Sequence, residues 1–391
     1  MPRFEPFPAI RYAAADLDAL IAPPYDVLSD ADVSELAARS AQNIVHVDVP
    51  RGDDSRYRLA ADVLQGWLAD GVLVRESDPS LTIYRMRFTD ATGEPRDISG
   101  VLGGLEVVDE GAGGVLPHER TTPKASTDRL DLTRATRANL SPVWGLSLAS
   151  GLTELLAEPA EVMARVVDNG VEHVVERVSD PERITAIQRL LASDDVLIAD
   201  GHHRYAISRT VRDEVREQTG RTDTAAEQTL AFVNELVAEQ LSVEAIHRLY
   251  SETGFVELRD ALGRFFVLEP YDGPTPDTLA AMVADGFLVL VGPAGRWRLT
   301  PAPGEFAGVR ALDGAWLETA LADIPHRVAY QHGLEETLAA VAGGAATAAV
   351  LIRPVSVAEI ERTAREGLLM PPKSTFFTPK LKTGFVIRPL G

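Results

Sequence analysis

The stretch "VLIADGHHRYAIS", Val196 to Ser208, decides how the rest of the chain is read. An apolar run from Val196 to Ala199 stops at Asp200-Gly201, and two histidines and an arginine follow. Ile207, Val211 and Val215 then recur at four-residue spacing until Gly220, which is one face of a helix. The stretch predicts a buried strand that turns into a helix at Gly201. Such a corner aims backbone N–H groups and the positive end of the helix dipole at one spot. Gly201 lets an anion approach the main chain closely. Arg204, in the first turn, adds a planar fork that suits phosphate. Asp200 repels a bare phosphate but can hold Mg2+ or orient a hydroxyl. The competing reading is a capped strand–helix turn with solvated polar side chains. His202 and His203 point about 100° apart on a helix, so one can face a ligand while the other packs. A metal site made of both is not expected.

Outward from this corner the chain keeps a strand–helix rhythm. "VEHVVERV" reads as a strand, and "PERITAIQRLLAS" as a helix with Pro181 at its start. "LTIYRMRFT" and "RDISGVLGGLEVV" form a hairpin around "DATGEP". "LSDADVSELAARS" is a helix capped by Ser29, with Asp32 three residues on. "SRYRLAADVLQGWLADG" places Leu59, Val63 and Trp67 on one helix face and stops at Gly71. "TLAFVNELV" and "LSVEAIHRLY" read as paired strands. Further on come a hairpin ("FLVLVGPAGRWRLT"), a strand ("AATAAVLIRP") and a helix ("VAEIERTAREG"). The expected fold is mixed α/β (α+β). Pro and Gly cluster in "EPYDGPTPD", which places a joint near residue 270. The joint divides a body, 1–265, from a subdomain, 266–391, that closes the site with "PPKSTFFTPK".

Composition narrows the function. The 391 residues carry a net charge of −20, which disfavours nonspecific nucleic-acid or anionic-membrane binding. There is no cysteine, so disulfides, thiolate catalysis and Cys-ligated zinc are excluded. The longest uncharged apolar stretch, Leu338 to Ile352, is broken by Gly343-Gly344 and falls short of the roughly 20 residues a membrane helix needs. "MPRFEPFPAIRY" has no apolar leader core, so a cytoplasmic location is expected. The expected partners are a small-molecule substrate and a nucleotide, with neither nucleic acid nor membrane.

Three further segments can carry chemistry. "HERTTPK" sets His118 and Glu119 beside Arg120 and Lys124, offering acid, base and phosphate counter-charge in one polar stretch. A solvated loop explains it as well. "PPYDVLSD" is a rigid turn carrying Asp26, either a helix leader or a carboxylate poised near a ligand. "GLLMPPKSTFF" approaches a P-loop but fails, because Pro371 and Pro372 have no N–H to cradle phosphates. Lys373 and Lys380 can still reach an anion from a loop. His46 alternates with Val45 and Val47 in "NIVHVDV", and it reads, like His173, as structural.

"PPYDVLSD", "HERTTPK", "RANLSPV", "IADGHHRY" and "MPPKSTFFTPK" resemble, in order, the blocks of a bacterial and archaeal family known as domain of unknown function 1015. "DGHHRYAIS" is also similar to the phosphate-binding loop of the ParB/sulfiredoxin superfamily, which includes free L-serine kinases. That second resemblance implies a ParB/sulfiredoxin-like nucleotide-binding core with large insertions. It also implies phosphate binding by Gly201, His202, His203 and Arg204. Where sulfiredoxins carry their catalytic cysteine this chain has His202, so sulfinic-acid reduction is excluded. The resulting expectation is an ATP- or ADP-dependent, Mg2+-assisted kinase acting on a small hydroxylated metabolite such as free L-serine. In it Arg120, Lys124, Lys373 and Lys380 neutralise phosphate charge, and Asp200 places the metal. Glu119 or Asp26 takes the acceptor's proton, and His118 substitutes or orients. A phosphoester hydrolase using the same anion pocket, and a non-catalytic nucleotide- or metabolite-binding regulator, remain open.

Overall fold

β-Branched and aromatic residues at alternating positions build a large sheet. The computed structural model describes residues 1–90, 93–119, 126–275 and 277–391. The sheet strands, in chain order, are β1 (Phe4–Glu5), β2 (Leu81–Thr89), β3 (Pro95–Glu106), β4 (Val115–Pro117), β5 (Val143–Ser147), β6 (Glu161–Asp168), β7 (Val171–Val178), β8 (Val196–Asp200) and β9 (Gln228–Glu235). Their order is β4-β8-β5-β9-β3-β2-β7-β6, with β1 also paired to β3. β4 runs parallel to β8, and β5 parallel to β9; the other pairs are antiparallel. The strand and hairpin readings of 81–106, 171–178 and 196–200 all hold. Val101, Val143, Val196, Ile198, Ala231 and Val233 make a core with Leu152, Ile184 and Ile187 from the covering helices. Burying each of the Val, Leu and Ile side chains stabilises by roughly 1.5–3 kcal/mol.

Seven helices accompany this sheet among the described residues: α1 (Asp30–Arg39), α2 (Val45–Asp48), α3 (Arg56–Ala69), α4 (Ser126–Thr136), α5 (Leu152–Ala157), α6 (Pro181–Leu191) and α7 (His202–Thr219). Ser29 and Asp32 form a capping box on α1, and Asp180 caps α6 ahead of Pro181. In α7, Ile207, Val211 and Val215 are buried against Ala226 and Leu390, and Gly220 ends the helix in the left-handed region. The face of α3 is rotated from expectation: Ala60, Leu64 and Trp67 are buried, whereas Leu59 is 51% exposed. "NIVHVDV" is not extended but contains α2, because Asn43 Oδ1 accepts the Val45 N–H while its Nδ2 donates to the Ala19 and Ile21 carbonyls. The polar segment 116–145 contains α4.

The chain divides into two compact units, Met1–Ser242 with Pro379–Gly391, and Val243–Thr378. The Pro/Gly cluster near 270 is not the joint but a loop inside the second unit, between Phe266–Pro270 and Thr278–Asp285. The second unit holds its own six-stranded antiparallel sheet, ordered 266–270, 295–301, 288–292, 348–351, 247–251 and 327–331. "TLAFVNELV" and the strand of "LSVEAIHRLY" are therefore not partners: β9 pairs with β3 and β5, and His247–Ser251 lies in the other sheet. Among the described residues no helix is long and apolar enough to cross a membrane.

Candidate functional site

β8 ends at Asp200, and the chain turns at Gly201 with φ 86° and ψ 27° into α7. The turn needs glycine twice over. Its φ is in the left-handed region, and an added Cβ would stand 3.0 Å from Cζ and Nε of Arg204. Asp200 Oδ1 accepts the Gly201 N–H at 2.8 Å, so this amide serves the corner itself rather than an outside anion. That corrects part of the expected amide seat. The first-turn residues whose N–H groups lie beyond it are His202, His203 and Arg204.

Arg204 folds back over the turn. Its Nη1 donates to the Pro142 carbonyl just ahead of β5, which runs antiparallel to β8 with Trp144 opposite Asp200. Nη2 stands 3.8 Å from Asp200 Oδ2 and 3.9 Å from Asp26 Oδ2, ion-pair range but beyond hydrogen-bond length. Nε has no hydrogen-bond partner among the described residues. The fork is thus committed on one side and keeps donor capacity on the other. At 12% side-chain exposure it backs the corner rather than standing free in solvent.

The segment Pro379–Gly391 rejoins the first unit and delivers Lys380. Its Nζ donates to Asp200 Oδ2 at 2.9 Å. Burial opposes ionisation of Asp200. The charges of Lys380 and Arg204, with the hydrogen bonds from Lys380 and Gly201, outweigh it and hold the carboxyl well below the usual carboxylate range. Asp26, on the short 3-10 turn Tyr25–Val27, is exposed. Asp26, Asp200, Arg204 and Lys380 therefore meet from three distant stretches of chain.

His118 follows β4 at the same edge, because β4 and β8 are parallel. It is fully buried, with Nδ1 2.6 Å from the Ile198 carbonyl and its ring centroid 5.0 Å from that of His202. Burial pushes its pKa down to about 4 against the Ile198 hydrogen bond and the Asp200 charge. The ring is thus neutral at pH 7 and carries its proton on Nδ1, donating to Ile198 O. This position suits orienting His202 rather than meeting solvent. Glu119 is half-buried one residue on. Arg120 and Lys124 lie outside the described residues. Lys373 belongs to the second unit, exposed at φ 57°, its carbonyl accepting from Arg248.

The sequence reading missed a neighbouring group. Asp48, at the end of α2, is buried; its backbone carbonyl accepts from Arg129 Nη1 at 2.5 Å. Arg129 stacks over Tyr25 at 4.2 Å. Ser141 Oγ lies 2.9 Å from Thr383 Oγ1. Tyr25, Asp48, Arg129, Ser141 and Arg204 line a cavity of about 50 Å³ between α4 and α7. The one legible signal was a lone carboxylate within the apolar run "NIVHVDV". No group of three or more His, Cys, Asp or Glu among the described residues can hold a metal alone.

Residues 4–315 match the profile of a family described as "Protein of unknown function (DUF1015)". The chain belongs to this family. No curated protein matches the sequence. Among solved structures, a conserved hypothetical protein from Pyrococcus furiosus aligns at TM-score 0.38 and 13% identity, covering 70% of this chain and 92% of that one. A free serine kinase in complex with AMP aligns at TM-score 0.38 and 12% identity, covering 70% and 89%. SbnI with a C-terminal truncation, from Staphylococcus aureus, aligns at TM-score 0.40 and 12% identity, covering 73% and 87%.

Proposed function

We propose that the corner at Gly201 is the phosphate end of a nucleotide site, and that this member of the DUF1015 family is a phosphotransferase acting on a small hydroxylated acceptor. The observation that carries the reading is the Asp200–Lys380 pair at a strand end, with Arg204 behind it and Asp26 beside it. Phosphoryl transfer asks for positioned charge of both signs. Lys380 is half-buried and turned onto Asp200; in this reading a nucleotide phosphate meets its ammonium charge and the Nη2 side of the Arg204 fork. Asp200 is the carboxylate available to Mg2+, which binds through one or two carboxylates plus phosphate oxygens. Both Asp200 oxygens keep lone pairs beyond the Lys380 and Gly201 bonds, so the donor set fits such an ion. The metal would supply charge neutralisation between phosphates. Asp26, exposed to an arriving hydroxyl, is the base we assign, and Glu119 its alternate. His118 positions His202. The similarity of "DGHHRYAIS" to the ParB/sulfiredoxin loop supports the same assignment for Gly201, His202, His203 and Arg204.

The test is calorimetric titration of ADP and of ATP, each with Mg2+, into the protein and into Lys380→Met. The expected result is saturable binding that weakens at least about tenfold in the variant, the loss of one charge-assisted contact. Mass spectrometry of reactions containing either nucleotide and L-serine then checks the acceptor. Absence of phosphoserine removes L-serine; nucleotide binding without any product leaves a binding regulator; phosphate release without acceptor marks a hydrolase. No binding of either nucleotide overturns the proposal.

A further inference from the structure

The cavity between α4 and α7 holds a group that the phosphate corner leaves unused. Asp48 is 3% exposed, and its two oxygens differ. Oδ1 lies 3.4 Å from Arg129 Nη1 and 3.5 Å from Ser141 Oγ. Oδ2 is buried and has no hydrogen-bond partner among the described residues. A buried carboxylate oxygen without a donor is costly, so native proteins rarely leave one in that state. Arg129 is not placed to serve it. Its Nη1 is drawn to the Asp48 main-chain carbonyl, its Nε donates to Asp128, and its plane is stacked on Tyr25. Burial raises the Asp48 carboxyl against the pull of Arg129 and Arg204, and the Arg129 ion pair reaches Oδ1 but not Oδ2.

The lining says what kind of donor is missing. Ser141, Ser208 and Thr229 line the same cavity, with Ser141 Oγ nearest Asp48, 3.5 Å from Oδ1. Each hydroxyl can still accept. A neutral hydroxyl ligand would need one acceptor. A primary ammonium has three N–H donors and needs several, and its bond to a carboxylate is charge-assisted and roughly twice as strong as a neutral one. A cavity of about 50 Å³ holds a few water-sized groups, enough for the ammonium end of a small molecule and not for a nucleotide base.

We infer that this cavity seats a primary ammonium group, with Asp48 as its counter-ion and the Ser141 and Ser208 hydroxyls as its other acceptors. The word acceptor for that molecule rests on the phosphotransfer reading, and then names its class: a small amino alcohol. Amine binding at Asp48 itself does not depend on that reading.

Two matched pairs test it by calorimetry or ligand-observed NMR: L-serine against L-glycerate, and 2-aminoethanol against ethane-1,2-diol. In each pair a hydroxyl replaces the ammonium. The protein is expected to prefer the amine by roughly tenfold or more in at least one pair. Asp48→Asn, which puts an NH2 where the ammonium would sit, is expected to erase that preference, and Ser141→Ala to reduce it. Equal binding of both members of each pair, absence of amine binding in both pairs, or an amine preference retained in a folded Asp48→Asn, overturns the inference. The comparison within the unsubstituted protein stands even if the Asn variant fails to fold. ADP titrated into the same samples separates the two readings. Amine preference without nucleotide binding overturns phosphotransfer and leaves this site in place.

Discussion

Single side chains at this corner are tuned by burial against pairing. For Asp200, paired charge wins; for His118, nothing offsets desolvation enough, and the ring stays neutral. The consequence for stability has a definite sign. The folded pKa of His118, about 4, lies below its ordinary value of 6.5. Between these values the unfolded chain binds the extra proton and the folded one does not. The contribution is complete above pH 6.5, falls as pH drops, and is lost by about pH 4. Its full size is about 3 kcal/mol, from 1.36 kcal/mol per pKa unit. His118→Asn keeps a donor near Nδ1 for the Ile198 carbonyl and cannot titrate. Urea unfolding at pH 7.5, 6, 5 and 4 is expected to show a shallower pH slope for this variant, by close to one proton in that window. An identical slope would mean that His118 is not held neutral. The sequence named His118 but could not show its burial, because that depends on β4 lying parallel to β8, a contact 80 residues away in the chain.

Elements were legible where local rules act alone. The capping box at Ser29 and Asp32, Pro181 behind Asp180, the hairpin of β2 and β3, and the α7 face all follow from short-range chemistry. They failed where a distant partner decides. Asn43 turned an alternating run into α2 by reaching the carbonyls of Ala19 and Ile21. The strand–helix joint between β8 and α7 combines both kinds of cause: Gly201 is locally required for its φ, and it also leaves the space over which the Arg204 guanidinium folds. Gly201→Ala therefore strains the backbone by about 1–2 kcal/mol and pushes Arg204 off the turn. Chemical denaturation is expected to register that loss, and nucleotide affinity to fall with it. A neutral Gly201→Ala in both measurements would mean that the corner relaxes without using this geometry.

On the scale of the whole molecule, the mixed α/β class was readable from the alternation of strand and helix patterns, but the joint was not. Proline and glycine mark turns of every kind, and "EPYDGPTPD" marks one inside a unit. The real crossings, after Ser242 and before Pro379, carry no such cluster, because the chain leaves and returns through paired strands. Val243 lies opposite Phe377, and Glu244 opposite Phe376. Residues so paired sit about 5 Å apart, so the two ends of the first unit are close neighbours. That unit is discontinuous, and its last piece is structural. Arg388 is buried, donating to the Ala225 and Gln228 carbonyls, and Leu381, Phe385, Val386, Ile387 and Leu390 are buried with it. Two deletions should behave oppositely. Replacing Val243–Thr378 with a short Gly/Ser linker asks the chain only to close a small gap, and loop closure at that length costs little. The product is expected to unfold cooperatively with the circular dichroism of a mixed sheet. Ending the chain at Thr378 removes both Lys380 and this buried segment, and the first unit is expected to lose its cooperative transition and to bind hydrophobic dye. An unfolded linker variant would mean that the first unit does not fold without Val243–Thr378; a truncated chain that melts as sharply as the full one would mean that the tail is not part of the first unit's core and that Lys380 is not built into the corner.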